Sequence, residues 1–95
     1  MAFSGGTYDD VARWLWNFLS AHAKRENVRA EVELEAGEER EGKSYAARVR
    51  LSKRLAPPME FEFAEVARNR GSLEWCAKLA ARVREVVRDL GAAAA

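Results

Sequence analysis

Residues 28–36 read VRAEVELEA, residues 45–51 read YAARVRL and residues 59–63 read MEFEF. Each alternates apolar with polar positions, the period-two signature of a strand with one face buried. The polar sets differ in sign. The first segment exposes Arg29, Glu31, Glu33 and Glu35, the second Arg48 and Arg50, the third Glu60 and Glu62. Acidic, basic, acidic predicts an antiparallel meander in strand order 1-2-3, with the arginine strand in the middle. Opposite charges directly across a ladder stabilise it and like charges weaken it. The first two strands should therefore pair with Glu33 facing Arg48 and Glu31 facing Arg50, because a slip of two sets Arg29 against Arg50. The same logic sets Arg50 against Glu60 and Arg48 against Glu62. Two triads result, Glu31–Arg50–Glu60 and Glu33–Arg48–Glu62. Exposed pairs contribute at most about 1 kcal/mol each, so they specify register more than stability.

Working outward, Thr7 suits a helix N-cap, with Asp9 and Asp10 in the first turn. From Tyr8 to about Arg25, the residues Val11, Trp14, Leu15, Phe18, Leu19 and His22 fall in one helical stripe, with Asn27 as the stop. Gly37–Lys43 reads as a charged hairpin loop. Lys53–Pro58 is a connection that Pro57 and Pro58 bar from helix. Beyond Phe63 the alternation loses phase, which predicts a bulge or strand end near Ala64–Glu65. Asn69–Gly71 is a turn. Ser72 caps a second helix from Leu73 to Leu90, stopped by Gly91. The fold expected is a two-layer α+β domain, α-β-β-β-α, with both helices on one face of the sheet. It spans residues 7–91, after a flexible lead at 1–6 and before a frayed end at 92–95.

The chain has 95 residues, 16 Lys and Arg against 15 Asp and Glu, and 48% hydrophobic residues. Surface scaling predicts that roughly 64% of the unfolded chain's surface is buried on folding, enough for one core without metals or disulfides. A net charge of +1 gives little long-range pull on nucleic acid or anionic lipid. It is unevenly spread, −3 over residues 1–47 and +4 over residues 48–95. The single Cys76 cannot form an internal disulfide. With no signal-peptide pattern and no apolar run of about 20 residues, a cytoplasmic protein without a membrane span is expected.

Candidate chemistry is sparse. His22, the one histidine, lies in the apolar stripe of the first helix, so it reads as a packed residue. Cys76 sits on the apolar arc of the second helix with Leu73, Leu79, Ala80, Val83 and Val87, where cysteine acts as a small hydrophobe. One His and one Cys cannot build a transition-metal site. Glu38 and Glu39, the β-segment glutamates and the serines lack the surroundings that raise a carboxyl pKa or activate a hydroxyl. Gly71 and Ser72 at a helix start could hold an anion, with Arg68 and Arg70 just before it. No catalytic constellation, no metal and no cofactor is expected.

Three tryptophans in 95 residues stand out. Trp14 belongs to the first stripe, while Trp16 lies at its edge. On the second helix Trp75, Leu79, Val86 and Leu90 form one ridge beside another of Val83, Cys76, Val87, Ala80 and Leu73. That arc is wider than the stripe one contact needs, and surplus apolar surface tends to be an interface. A non-enzymatic protein-interaction domain follows, self-associating as a homodimer through Trp16, Trp75, Val86 and Leu90.

The element order resembles that of double-stranded-RNA-binding domains, from about Thr7 to Leu90. That resemblance implies RNA contact through the first helix, the first hairpin loop and a lysine-rich start to the last helix. Here the loop is largely acidic, and Lys78 is the lysine near Ser72–Trp75. The alternative function it implies is a nucleic-acid-binding domain using the basic edge Arg68, Arg70, Lys78 and Arg82. The order also looks like the core of secretion-type chaperones, which are dimers.

Overall fold

The computed structural model describes residues 7–94. The expected lead at 1–6 and the final Ala95 lie outside the described residues. An antiparallel sheet is covered on one face by helices, in an α+β arrangement. In chain order the elements are α1 (Tyr8–Glu26), β1 (Glu31–Glu35), β2 (Ser44–Leu51), β3 (Arg54–Leu55), β4 (Met59–Glu62), α2 (Phe63–Asn69) and α3 (Leu73–Ala94). Thr7 caps α1, its hydroxyl accepting from the Asp10 amide at 3.1 Å.

β1 and β2 pair in the register that charge dictates, Glu31 opposite Arg50 and Glu33 opposite Arg48, with Val32 opposite Val49. Arg50 Nη2 reaches both Glu31 at 3.3 Å and Glu33 at 3.1 Å. Glycine and its neighbour close the hairpin, with Glu41 at φ 56° and Gly42 at φ 69°.

The other edge of β2 departs from expectation. The sheet has four strands, because the third is broken in two. Ser52 and Lys53 make a two-residue turn, Ser52 at φ 60°, that pairs β3 at once with Arg50 and Leu51. The ladder continues as the Ala56 amide donates to the Val49 carbonyl at 2.9 Å. Pro57 and Pro58 have no N–H to give, so they are extruded as a bulge opposite Arg48. Pairing resumes one residue out of step, with Met59 opposite Ala47 and Glu60 opposite Ala46. The triads Glu31–Arg50–Glu60 and Glu33–Arg48–Glu62 therefore do not form. Leu55, not Glu60, faces Arg50.

The displaced acids find a different cation. Glu35, Ala46 and Glu60 share a rung, and Arg40 folds over it from the hairpin loop. Its guanidinium donates to Glu60 Oε1 at 3.0 Å, Glu35 Oε1 at 3.5 Å and Ser44 Oγ at 3.1 Å. Ala46 is covered by that arch and is 2% exposed, although its neighbours on that face are charged.

The lost alternation after Phe63 is α2, a seven-residue helix that buries Val66 and Ala67. Among the described residues it makes three α-helices where two were expected. Helix α3 runs through Gly91 to Ala94. Gly91 stays helical because alanines follow it, the best helix formers. Leu73, placed by periodicity on the apolar arc, is 88% exposed, although Trp75 in the same turn packs against the core.

The core joins Val11, Leu15, Leu19 and Ala23 of α1 to Leu79, Val83 and Val87 of α3 over Val32, Tyr45, Ala47, Val49, Leu51, Met59 and Phe61 of the sheet. Contacts follow the same order along both helices. Trp14 stacks on Trp75 with ring centroids 6.4 Å apart, and Glu26 holds Arg84 and Arg88 at 3.2 and 3.3 Å. The two helices therefore lie side by side and parallel. Tyr45, fully buried, locks α1 to β2. Its ring stacks on Tyr8 at 4.6 Å and its hydroxyl donates to the Tyr8 carbonyl at 2.8 Å. The Tyr8 hydroxyl in turn donates to the Ser44 carbonyl. No helix among the described residues is long and apolar enough to cross a membrane.

Candidate functional site

The two edges of the sheet are built differently. At the β1 edge, α1 leans over the strand. Trp16 is 44% exposed, and its indole N–H donates to the Val32 carbonyl at 2.8 Å. Lys24 Nζ donates to the Ala30 carbonyl at 2.9 Å. Edge carbonyls so engaged are closed to strand addition. Trp16 has this position because it sits just outside the apolar stripe, on the side that overhangs β1.

At the opposite edge, α3 packs beside the broken strand. Leu55, Ala56, Pro57, Val86, Asp89 and Leu90 line a groove of about 200 Å³. Leu55 is 49% exposed, and Val86 and Leu90 are half-buried against the core. Toward the start of α3 a second cleft of about 210 Å³ is lined by Phe61, Trp75 and Leu79 with Glu60, Glu65, Lys78 and Arg82. The Arg82 guanidinium lies over the Phe61 ring, 5.9 Å from its centroid. Prolines at the bulge and the glutamates of β4 protect this edge too from strand pairing.

Of the four residues read from sequence as an interface, Trp75, Val86 and Leu90 share the α3 edge, and Trp16 stands at the other. Of the basic residues, Lys78 and Arg82 line the cleft beside Glu60 and Glu65, and Lys78 pairs with Glu74 at 3.5 Å. Arg68 lies in α2 and Arg70 caps its end. Leu55 and Pro57 escaped sequence reading, because they sat in a segment taken for a connection.

His22 packs its ring on Phe18, centroids 4.5 Å apart. Burial, then the nearby Arg25 and Arg84, push its pKa below the ordinary imidazole value. Trp14, Phe18 and His22 continue as a row of rings from Trp75. Burial pushes the Cys76 thiol up, away from the thiolate that a nucleophile needs. Its Sγ lies 3.4 Å from the Arg70 carbonyl oxygen. Among the described residues no group of three or more His, Cys, Asp and Glu could hold a metal ion.

Compared with protein-family models, curated proteins and solved structures, the chain gives no match. Its likeness to double-stranded-RNA-binding domains remains one of element order, and the interposed α2 and the broken third strand depart even from that.

Proposed function

We propose that this chain is a non-enzymatic protein-binding domain whose partner is a second copy of itself. The observation that supports it most is the groove at the α3 edge, apolar along Leu55, Ala56, Pro57, Val86 and Leu90, with Asp89 its one charged lining residue. Burying such a surface is the main favourable term in association. Both sheet edges are protected against strand addition, which favours contact through side-chain packing. A lone Cys76 suits work in a reducing compartment such as the cytoplasm.

Sedimentation equilibrium over a concentration series tests it. The wild-type chain should show a monomer–dimer equilibrium, and Leu55→Asp should shift it to monomer while the circular dichroism spectrum stays unchanged. Leu55 suits the test because it is half-exposed and outside the packed core. A wild-type monomer into the high micromolar range overturns the reading. Binding to duplex RNA that weakens steeply with salt would redirect attention to Arg68, Arg70, Lys78 and Arg82.

A further inference from the structure

Lys78, Arg82, Glu85 and Asp89 occur at i, i+4, i+7 and i+11 along α3. At 100° per residue they fall within about 60° of one another around the helix, over about 16 Å of its length. All four are exposed. Their strip lies on the exposed side of α3, turned away from the buried Leu79, Val83 and Val87. Trp75 and Val86 border it on the groove side. The N-terminal half of the strip is positive and the C-terminal half negative.

From this we infer that two copies of the chain pair their α3 helices antiparallel about a two-fold axis, in the register that sets Lys78 against Asp89 and Arg82 against Glu85 of the second copy. The inference rests on the self-association proposed above and adds its geometry. A two-fold interface is self-complementary, with residue i meeting j and j meeting i. The charge order along α3 satisfies that condition only when the helices are antiparallel, giving four opposite-charge contacts centred between Val83 and Arg84. A parallel arrangement sets Lys78 beside Lys78 and Asp89 beside Asp89, like against like. The two-fold also brings the same flank of each helix together, so the groove of one copy, lined by Val86 and Leu90, comes level with the cleft lined by Trp75 and Leu79 of the other. Apolar burial then supplies affinity, and the charges set orientation and exclude the parallel alternative.

The existing contacts of these side chains are compatible. Lys78 reaches Glu74 across an exposed 3.5 Å pair, which is weak. Arg82 rests on Phe61, and Glu85 and Asp89 lie near Arg88 of the same helix.

Charge exchange tests the register. One variant carries Lys78→Glu and Arg82→Glu, the other Glu85→Lys and Asp89→Lys. Alone, each brings like charges together at all four contacts. Each dissociation constant should rise about tenfold or more over wild type in low-salt sedimentation equilibrium, four exposed pairs being worth a few tenths of a kcal/mol apiece. Mixed one to one, the variants should form a heterodimer at least as tight as the wild-type dimer. The differences should shrink in high salt. Rescue on mixing also controls for the contact Arg82 loses with Phe61. If the wild type dimerises but both variants do so equally well, the register is overturned and self-association stands. If the wild type is monomeric throughout, self-association falls, and the register with it.

Discussion

Ser20 is a hydroxyl in the wrong place. Its Oγ is buried on α1 without a hydrogen-bond partner, beside the overhang that Trp16 makes on β1. Leaving a buried polar atom unpaired costs more than removing it, and alanine is also the better helix former. Ser20→Ala should raise stability by about 1 kcal/mol, seen as a higher urea midpoint at unchanged m-value. A lower midpoint would mean that the hydroxyl is partnered in solution. On the helical wheel Ser20 falls between Trp16 and Lys24, the two α1 residues that donate to the Val32 and Ala30 carbonyls. What spacing does not carry is how far the Trp16 indole extends over the strand edge. His22 is the opposite case: its place in the stripe followed from periodicity, and it is packed against Phe18 as that stripe requires.

Legibility at the level of elements depended on what competed with charge. Between β1 and β2 nothing did, since the loop from Gly37 to Lys43 is long enough to allow any register, and the glutamates and arginines decided. Along the other edge of β2 the two-residue turn at Ser52 and Lys53 decided first. It captured Arg54 and Leu55 into the ladder, and the proline pair then imposed a bulge, so Glu60 arrived four rungs from Arg50. Arg40 compensates from the loop, a contact that alternation cannot encode because Arg40 belongs to no strand. Helix α2 was hidden by its brevity and by Glu62, an N-cap that makes no side-chain cap hydrogen bond. The candidate groove inherits the same history: Val86 and Leu90 were visible on the wheel, whereas Leu55 and Pro57 entered it through the turn. Ser52 bears the strain of that turn. A positive φ at a turn residue is the left-handed region, which favours glycine there. Ser52→Gly should therefore stabilise the domain by about 0.5–1 kcal/mol, measured by thermal or urea unfolding. Destabilisation would show that the serine hydroxyl holds the turn.

Across the whole molecule, two parallel helices share one sheet face, and their relative position is held at both ends. At one end the contact is aromatic, Trp14 on Trp75. At the other it is ionic, Glu26 between Arg84 and Arg88, residues 58 and 62 positions away in the chain. That separation is why no local pattern announced the clamp, even though Glu26 follows the apolar stripe of α1 in phase. If α3 offers a second copy its charged strip, the clamp also determines how that strip is presented. Its pH dependence is open to test. Hydrogen bonds from Arg88 and then Arg84 hold the Glu26 carboxyl below its ordinary value of 4.5. A carboxyl depressed in the folded state binds its proton more readily in the unfolded chain. Its stabilising contribution is therefore complete above the unfolded value and is lost as pH falls through the folded one. Glu26→Gln removes the titration and keeps the shape. The stability gap between wild type and Glu26→Gln should be constant from pH 7 to about 5.5, then close as the solution is taken through pH 4.5 and below. Urea is the denaturant to use, since guanidinium salts would screen the pairs. A gap that persists unchanged at pH 3 would mean that the glutamate acts through packing, and that α1 and α3 are held in place by their apolar contacts alone.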